Sequence, residues 1–264
     1  MNILIAGANG YLGRHLSKAF DDHNIINLTR NDDIVNTMSS TLPDVIINTI
    51  CSYGRNGETL SEIYNSNFIV GLKLLEEAKR LDKKITFINC GTSLEKETNL
   101  YSISKAQLVE FGKFISSEKL KFINMNLQHF YGPGADNNFV TFVIENCLRN
   151  TNLPLSEGLQ KRDFIFIDDV VNAFKTVFFN IDKFNQYENI DVGFGNPVQL
   201  RDLVHTIKDI TNSSSNLDFG KIPTRLNEAA EMKADITILK SLGWNPKTSL
   251  KKGLQLTVDY YNER

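Results

Sequence analysis

The chain has 264 residues, of which 41% are hydrophobic and 23% charged, and its formal net charge at pH 7 is -2. This composition predicts a globular protein with a large core, and the near-neutral charge excludes general electrostatic binding to nucleic acid or to an anionic membrane. The three cysteines are scattered and form no Cys-x-x-Cys pair, so we predict reduced, mostly buried thiols and no metal site. The lack of a long apolar segment or a signal sequence predicts a cytoplasmic protein.

The first motif is a glycine-rich turn. An aliphatic run over residues 2–6 leads without a linker into Gly7-x-x-Gly10-x-x-Gly13, and a helical pattern follows. Gly7 permits a sharp turn, Gly10 lets backbone N–H groups approach a pyrophosphate, and Gly13 lets the helix pack on the strand. Plain strand-to-helix turns also carry glycines, so the motif predicts a dinucleotide site only together with the features that follow.

A second strand is predicted over residues 24–30, and it ends about twenty residues beyond the turn, where a dinucleotide fold contacts the ribose. NAD sites usually place an acid there, but this chain has Thr29 followed by Arg30. A guanidinium binds a 2′-phosphate that a carboxylate would repel, so Arg30 predicts a preference for NADPH. The alternative is a solvated surface arginine. Asp33 and Ile34 are candidates to flank the adenine.

The third predicted strand, residues 43–50, is continuously apolar, which is typical of a parallel strand buried on both faces. Residues 51–55 follow as a loop at its carboxyl end, the side of such a sheet on which ligands bind. Tyr53 and Arg55 are therefore candidates to contact substrate, and the alternative is an ordinary surface loop. The apolar spacing then predicts one long amphipathic helix over residues 58–81 and a strand over 85–89.

The next motif, Tyr101-Ser-Ile-Ser-Lys105, begins a helical pattern, so its Tyr and Lys lie one turn apart on the same face. A Lys ammonium near a phenol stabilises the phenolate, and we expect it to lower the pKa of Tyr101 toward the range useful for acid–base chemistry. Thr92 follows a strand end, where its hydroxyl can hydrogen-bond a substrate carbonyl. Tyr-x-x-x-Lys pairs are common in helices, and the upstream nucleotide-binding turn is what favours a catalytic role for this one.

Together with Asp44-Val-Ile-Ile-Asn48, these motifs resemble the extended short-chain dehydrogenase/reductase superfamily, and within it the NAD-dependent epimerase/dehydratase branch. The resemblance covers nearly the whole chain, because later segments also match it: Phe130-Tyr-Gly-Pro-Gly134, Gln160-Lys-Arg-Asp-Phe-Ile-Phe-Ile-Asp-Asp169 and Leu242-Gly-Trp-Asn-Pro246. Shorter segments are most similar to CDP-abequose and CDP-paratose synthases: Cys51-Ser-Tyr-Gly-Arg-Asn-Gly-Glu58, Asn89-Cys-Gly-Thr-Ser-Leu94 and Gln128-His-Phe-Tyr-Gly132.

The resemblance implies a doubly wound parallel α/β (Rossmann) domain over residues 1–132 and 162–192, with a small interleaved α/β substrate lobe over 133–161 and 193–264. It implies NADPH-dependent reduction of the C4 keto group of a CDP- or dTDP-linked deoxyhexose, in the synthesis of surface-polysaccharide sugars such as those of O-antigen. Tyr101 is predicted to donate the proton and Thr92 to hydrogen-bond the same oxygen. Lys105 is predicted to lower the pKa of Tyr101 and to bind the nicotinamide ribose.

The other predicted contacts fall into two groups. The cofactor contacts are Gly7, Asn9, Gly10, Tyr11, Leu12, Gly13, Thr29, Arg30, Asp33, Ile34, Lys105 and His129. The substrate contacts are Tyr53, Arg55, Thr92, Tyr101, His129 and Arg162. Arg162 is assigned by the resemblance to the substrate diphosphate, a task that suits a bidentate guanidinium. For His129, the alternative is a structural histidine in a crowded loop.

Two alternative functions remain open. One is a nucleotide-sugar epimerase that retains NAD, and the other is an NADP-binding regulatory protein without turnover. Ser93 and Leu94 stand where dehydratases of the branch commonly carry an Asp-Glu pair, which argues against dehydration. Eight residues separate Thr92 from Tyr101, fewer than is usual in the branch, which predicts an abbreviated substrate loop. The helices that carry Asn67 and residues 101–117 resemble those of a family dimer interface, so a homodimer is expected, although the same apolar stripes could cover the sheet.

Further elements are predicted by periodicity as strands over 121–127 and 187–192 and helices over 139–150, 170–179, 200–211 and 250–261. Asp168 and Asp169 stand at the start of one of these helices. We interpret them as capping and dipole-stabilising residues rather than as a catalytic pair.

Overall fold

The computed structural model describes residues 1–136, 138–224 and 228–264. The chain divides into two compact units, the first formed by residues 1–127 and 174–191 and the second by residues 128–173 and 192–264. The strands are β1 Asn2–Ala6, β2 Asn24–Leu28, β3 Val45–Asn48, β4 Ile85–Thr92, β5 Leu120–Leu127, β6 His129–Tyr131, β7 Leu153–Leu155, β8 Lys161–Arg162, β9 Phe164–Phe166, β10 Tyr187–Val192, β11 Val198–Gln199 and β12 Leu217–Phe219. The α-helices are α1 Tyr11–Ala19, α2 Ile34–Thr41, α3 Leu60–Tyr64, α4 Val70–Arg80, α5 Leu100–Ile115, α6 Phe139–Leu148, α7 Ile167–Phe179, α8 Leu200–Ile210, α9 Thr237–Ser241 and α10 Leu250–Asn262.

The first unit is built on a six-stranded sheet in the order β10-β5-β4-β3-β1-β2. The neighbours from β5 to β2 pair in parallel. The residues of β1, β3 and β4 are mostly apolar and almost all buried, as a parallel sheet covered on both faces requires, whereas β2 at the edge of the sheet is only partly buried. The predicted doubly wound α/β class is therefore confirmed.

The strand order reverses between β1 and β3, which are neighbours in the sheet although β2 lies between them in the chain. In open α/β sheets, such a reversal opens a crevice at the carboxyl ends of the strands, where ligands bind. The glycine turn follows β1 directly, and the loop of Cys51 to Arg55 follows β3. The topology therefore brings two of the predicted binding segments to the same edge of the sheet.

A row of asparagine side chains crosses this sheet inside the first unit. The amide of Asn48 donates to Asn89, that of Asn89 to Asn124, and that of Asn124 to Asn189, over 3.0, 2.8 and 2.7 Å. Asn48, Asn89 and Asn124 are at most 2% exposed, and they face one another in the pairing register of β3, β4 and β5. Each buried amide is therefore paired with the next.

The predicted long helix over 58–81 is interrupted by one π-helical turn. The α-helical segments α3 and α4 are joined by a π turn over Asn65–Ile69, so the run continues but changes its period. A periodicity of 3.6 residues cannot reveal such a turn, because the flanking segments keep the helical spacing. The turn carries Asn67, whose side chain is almost fully buried.

The second unit contains short strand pairs and four helices within its described residues, together with the first part of α7. Strand β6 pairs with β9 and β7 with β12, both in parallel, and β8 pairs with β11 in antiparallel fashion. Asp163 is fully buried between β8 and β9, and its carboxylate accepts the backbone N–H groups of Phe194, Gly195 and Ala234 at 2.8, 2.9 and 3.0 Å. One carboxylate thus holds three loop amides.

Asp168 and Asp169 both lie in the first turn of α7, as the dipole interpretation predicts. The predicted capping role does not hold for Asp169, because its carboxylate binds another segment of the chain. The helix α7 begins at Ile167, and the Asp169 carboxylate accepts the backbone N–H groups of Lys247 and Thr248 at 2.8 and 2.9 Å. The buried carboxylate therefore fixes the segment that precedes α10. No helix in the described part of the chain is both long and apolar enough to cross a membrane.

Candidate active site

The glycine turn has the shape that close approach of a dinucleotide requires. Gly7 has a φ of 83°, and a Cβ at this position would lie 2.7 Å from Thr49 Oγ1 and 3.1 Å from the backbone nitrogen of Ile50. A Cβ on Gly13 would overlap the carbonyl oxygen of Gly7. Gly10 is the N-cap residue of α1 and offers no capping side chain, which leaves N–H groups of the first turn for an anionic ligand. The turn therefore fits a pyrophosphate.

The other predicted residues of this turn make contacts within the turn and with α1. Leu12 is buried on the inner face of α1. The carbonyl of Asn9 accepts a hydrogen bond from Arg14 at 2.8 Å, and the ring of Tyr11 lies 4.8 Å from that of His15 in an edge-to-face arrangement. These contacts fix the shape of the turn.

At the end of β2, the structure adds an acid that the sequence argument missed. The backbone N–H and the hydroxyl of Thr29 both donate to the Asp32 carboxylate at 2.7 Å. These bonds hold the pKa of Asp32 below its usual range. Arg30 is exposed, and the carboxylate of Asp33 caps α2 by accepting the N–H of Asn36 at 2.8 Å. An arginine and two acids thus stand together at the expected ribose position.

The region after β2 also contains a sequence signal for the Asp32 contact and the predicted adenine neighbour Ile34. The spacing Thr-x-x-Asp is the signal in the sequence that could have revealed the contact of Asp32, because Asp side chains commonly bind nearby backbone N–H groups. Ile34 is partly buried and packs against the hydrophobic core of the first unit.

Lys105 is almost completely buried, with 1% of its surface exposed. Its ammonium donates to the carbonyl of Ile50 at 3.1 Å, which ties α5 to the loop after β3. Burial lowers the pKa of Lys105, because the charged form is poorly solvated there, while the thiols of Cys51 and Cys90 act in the opposite direction. The ammonium has further donors, which suit the hydroxyl groups of a nicotinamide ribose.

Tyr101 lies in the same part of the first unit, with 8% of its surface exposed. Burial is the main cause that raises its pKa, whereas hydrogen bonds with Thr92 and Tyr53 act to lower it. The expectation that Tyr101 has a lowered pKa is therefore wrong for this structure, because desolvation outweighs the stabilisation of the phenolate. A phenol of this kind is protonated at neutral pH and can act as a proton donor.

The ring of Tyr53 packs against that of Tyr101, and Arg55 lies over the Tyr53 ring. The rings of Tyr53 and Tyr101 lie 4.7 Å apart, and the guanidinium carbon of Arg55 lies 5.0 Å from the centre of the Tyr53 ring. Nearby, burial raises the pKa of the Cys90 thiol to about 12. Cys51 is exposed, whereas Cys90 and Cys147 are buried.

A hydrogen-bond network that the sequence did not reveal links this loop to α5. Asn67 accepts the backbone N–H of Ser52 at 2.7 Å and donates to the Ser52 carbonyl at 2.9 Å and to Ser104 Oγ at 3.0 Å. Ser104 in turn donates to the carbonyl of Tyr101 at 2.9 Å. One buried amide thus holds both segments of the candidate site. Its only local signal is a polar residue on an otherwise apolar helical face.

The structure brings Thr92, Tyr101, Lys105 and Tyr53 together in the first unit. His129 and Arg162 belong to the second unit. The backbone N–H of His129 donates to the carbonyl of Asp163 at 3.1 Å, and its ring lies 5.6 Å from that of Phe164.

Arg162 is 4% exposed and already has several partners. Its guanidinium donates to Glu228 at 2.7 Å and to the carbonyls of Lys161 and Ala229 at 2.7 and 2.9 Å. The guanidinium is therefore already bound to one carboxylate and two backbone carbonyls. The predicted role of Arg162 toward a diphosphate stays a prediction.

Comparison with known proteins gives concordant matches. The sequence pattern of a family described as the NAD dependent epimerase/dehydratase family matches residues 3–193. CDP-abequose synthase of Salmonella typhimurium is 31% identical over 288 residues, covering 96% of this chain and 96% of that protein. A putative UDP-glucose 4-epimerase of Methanocaldococcus jannaschii is 21% identical, with 98% of this chain covered and 97% of that protein.

Solved structures show the same fold. UDP-glucose 4-epimerase of Thermotoga maritima, solved with UDP-glucose, superposes with a TM-score of 0.85 at 23% identity, covering 100% of this chain and 99% of that one. MoeE5 in complex with UDP-glucose and NAD gives a TM-score of 0.88 at 18% identity, with the same coverage. At these identities, the likeness concerns the fold.

Proposed function

The chain belongs to the NAD dependent epimerase/dehydratase family and is an NAD(P)-dependent oxidoreductase-type enzyme, and we propose that it reduces the C4 keto group of a CDP- or dTDP-linked deoxyhexose with NADPH. The observation that carries the proposal is the cluster of Thr92 and the buried Tyr101 and Lys105 beside a glycine turn that fits a pyrophosphate. The similarity to CDP-abequose synthase supports a nucleotide-linked sugar as substrate. Such a reaction belongs to the synthesis of surface-polysaccharide sugars, such as those of O-antigen, in the cytoplasm.

A bound nicotinamide cofactor would supply the hydride, and the residues of the chain act on the substrate oxygen. The glycine turn would hold the cofactor pyrophosphate and Lys105 would hold the nicotinamide ribose. Tyr101 gives its hydroxyl proton to the oxygen that becomes the C4 alkoxide, and Thr92 donates a hydrogen bond to the same oxygen. Because negative charge develops there only as hydride arrives, donors already aimed at the oxygen stabilise the transition state more than the bound substrate.

The most informative assay follows NADPH oxidation with 4-keto sugars linked to CDP, dTDP, GDP and UDP, with the configuration at C4 of the product read by NMR. Turnover with a CDP- or dTDP-linked sugar is the expected result. Tyr101→Phe should reduce turnover by about a hundredfold or more, in the range usual for loss of an acid–base group. Near-normal turnover in that variant contradicts the assignment.

The preference for NADPH is supported by Arg30, the exposed cation at the end of β2. Asp32 and Asp33 stand beside it, so the local charge is not uniformly positive, and Arg30 must supply the attraction for a 2′-phosphate. Arg30→Ala should lower the efficiency with NADPH relative to NADH by about tenfold or more, the effect of one lost charged contact. An unchanged ratio of the two efficiencies overturns the preference. Asp32→Asn is the matched variant, expected to move the ratio toward NADPH.

A nucleotide-sugar epimerase that retains NAD is the second candidate. The contact of Asp32 with Thr29 favours it, because an acid at the end of this strand suits a 2′-hydroxyl. Stoichiometric NADPH consumption separates reduction from epimerisation, which consumes no net cofactor. A regulatory protein without turnover is disfavoured because the chain keeps both Tyr101 and Lys105. NADPH binding without turnover across the sugar panel would support it.

We also propose a homodimer formed through α3 and α5. Large apolar side chains on these helices are exposed, with Leu60 73%, Phe111 46% and Phe114 89% accessible. Exposed large apolar side chains on neighbouring helices are typical of protein interfaces. Sedimentation of the wild type and of Phe114→Lys tests the assignment. A monomeric wild type, or a variant that stays dimeric at low protein concentration, overturns it.

A further inference from the structure

The side chain of Tyr53 packs against Tyr101, the predicted proton donor, although Tyr53 lies in a surface loop. The centres of the Tyr53 and Tyr101 rings lie 4.7 Å apart with an angle of 35° between their planes. The Arg55 guanidinium lies on the Tyr53 ring at 5.0 Å. Tyr53 is 46% exposed, whereas Tyr101 is buried. The pair therefore joins a partly exposed tyrosine side chain to a buried one.

The loop that carries Tyr53 is held by hydrogen bonds on both sides of it. Before Tyr53, the backbone of Ser52 is fixed from both its N–H and its carbonyl by Asn67. Glu58 accepts the Ser52 hydroxyl at 2.9 Å and the backbone N–H of Asn56 at 2.7 Å. Because Asn67 also binds Ser104 of α5, the positions of Tyr53 and Tyr101 are set by one network.

We propose that Tyr53 is a positioning residue whose hydroxyl donates a hydrogen bond to Tyr101 Oη and stabilises the phenolate left after Tyr101 has given its proton to the substrate. In the step itself, the O–H bond of Tyr101 breaks, an O–H bond forms on the substrate oxygen, and the electron pair stays on Tyr101 Oη. The proton of Tyr53 is not transferred. The role rests on the proposed function, because it requires Tyr101 to be the proton donor.

The electrostatics of the pair support this direction of the hydrogen bond. The neighbouring Tyr101 and Cys51 are the main causes that raise the pKa of Tyr53 well above its usual value, so Tyr53 keeps its proton. The same hydrogen bond acts to lower the pKa of Tyr101 against the opposing effect of burial. Tyr53 is therefore the donor and Tyr101 the acceptor once the latter is deprotonated.

The test is a direct titration of Tyr101 that needs no substrate. Tyrosines are replaced biosynthetically by a fluorinated tyrosine, whose phenol is more acidic, and followed by ¹⁹F NMR. The Tyr101 resonance is the one missing from Tyr101→Phe. In Tyr53→Phe, the midpoint of the Tyr101 titration should rise by about one pH unit or more, as expected for a lost hydrogen bond to a charged oxygen. Tyr64→Phe is the control, because Tyr64 packs on Phe68 at 5.1 Å, and it should leave the midpoint unchanged.

An unchanged or lowered midpoint in Tyr53→Phe overturns the proposal. So does a kinetic effect confined to KM, which is the result expected if Tyr53 only contacts the sugar. In Tyr53→Phe, kcat should fall. The alkaline limb of the pH profile of kcat should shift to higher pH, together with the midpoint measured by NMR. A wrong substrate class is distinguishable, because it gives no turnover in the wild type while the Tyr101 titration still responds to Tyr53→Phe.

Discussion

Asp163 offers the sharpest test of how the second unit is held together. In Asp163→Asn, one carboxylate oxygen becomes an NH₂ group of almost the same size. Oδ2 accepts the N–H groups of Gly195 and Ala234, and Oδ1 that of Phe194. The amide therefore keeps its remaining oxygen toward the pair and turns its NH₂ group toward Phe194 N–H, so that two buried donors face each other.

The expected cost follows from these three bonds. Loss of one hydrogen bond to a charged acceptor costs about 1.5–3 kcal/mol, and the two bonds that remain weaken because their acceptor is now neutral. We therefore expect Asp163→Asn to lower the free energy of unfolding by about 3–5 kcal/mol, since the site is fully buried and water cannot replace the lost partner.

Urea unfolding followed by tryptophan fluorescence measures this effect. The chain has one tryptophan, and Trp244 lies buried in the same unit as Asp163. Asp235→Asn is the control, because Asp235 also accepts a backbone N–H, from Thr237 at 3.0 Å, but on the exposed surface. The control should change stability by at most about 1 kcal/mol. A loss below about 1 kcal/mol in Asp163→Asn would refute the reasoning.

Two further predictions concern the glycine turn and the thiols. Gly13→Ala should weaken cofactor binding by about a hundredfold or more, because the new methyl group overlaps the backbone oxygen of Gly7 and pushes α1 away from the turn. Isothermal titration with the cofactor measures the affinity, and Lys18→Ala, an exposed change on the same helix, is the control. An unchanged affinity in Gly13→Ala contradicts the prediction. An aromatic disulfide reagent at pH 8 should modify Cys51 rapidly and the buried Cys90 and Cys147 only after unfolding, because burial raises the pKa of both thiols, that of Cys90 to about 12. If Cys51→Ser still contains a fast-reacting thiol, the predicted order of reactivity is wrong.

Local patterns were sufficient for much of the first unit. The apolar run before Gly7 and the helical run after Tyr101 are properties of neighbouring residues, so their strand and helix could be read directly. The Thr92, Tyr101 and Lys105 cluster followed from a spacing of one helical turn and from the rule that ligands bind at the carboxyl ends of parallel strands. The comparisons confirm the family to which these motifs pointed.

What the sequence could not provide depends on contacts between distant residues. Asp163 and Asp169 bind backbone groups that follow them by as many as 79 positions, and no local pattern records such a partner. The ion pair between Arg162 and Glu228 is of the same kind. The raised pKa of Tyr101 likewise reflects burial, which a pairwise argument from Lys105 did not include. Strands of two or three residues in the second unit are too short to show a period.

The asparagine row has a consequence for how the sheet finds its alignment. Three neighbouring strands carry the same dipeptide at the same level, with Ile47, Ile88 and Ile123 each followed by asparagine. Because these apolar strands are so similar, several shifted registers would bury a similar apolar area. A slip by one residue turns each amide to the opposite face and separates it from its partner, at about 1–3 kcal/mol for each buried group left unpaired. The asparagine row therefore stabilises the native register of the strands and disfavours shifted registers during folding, before the strand pairing is fixed.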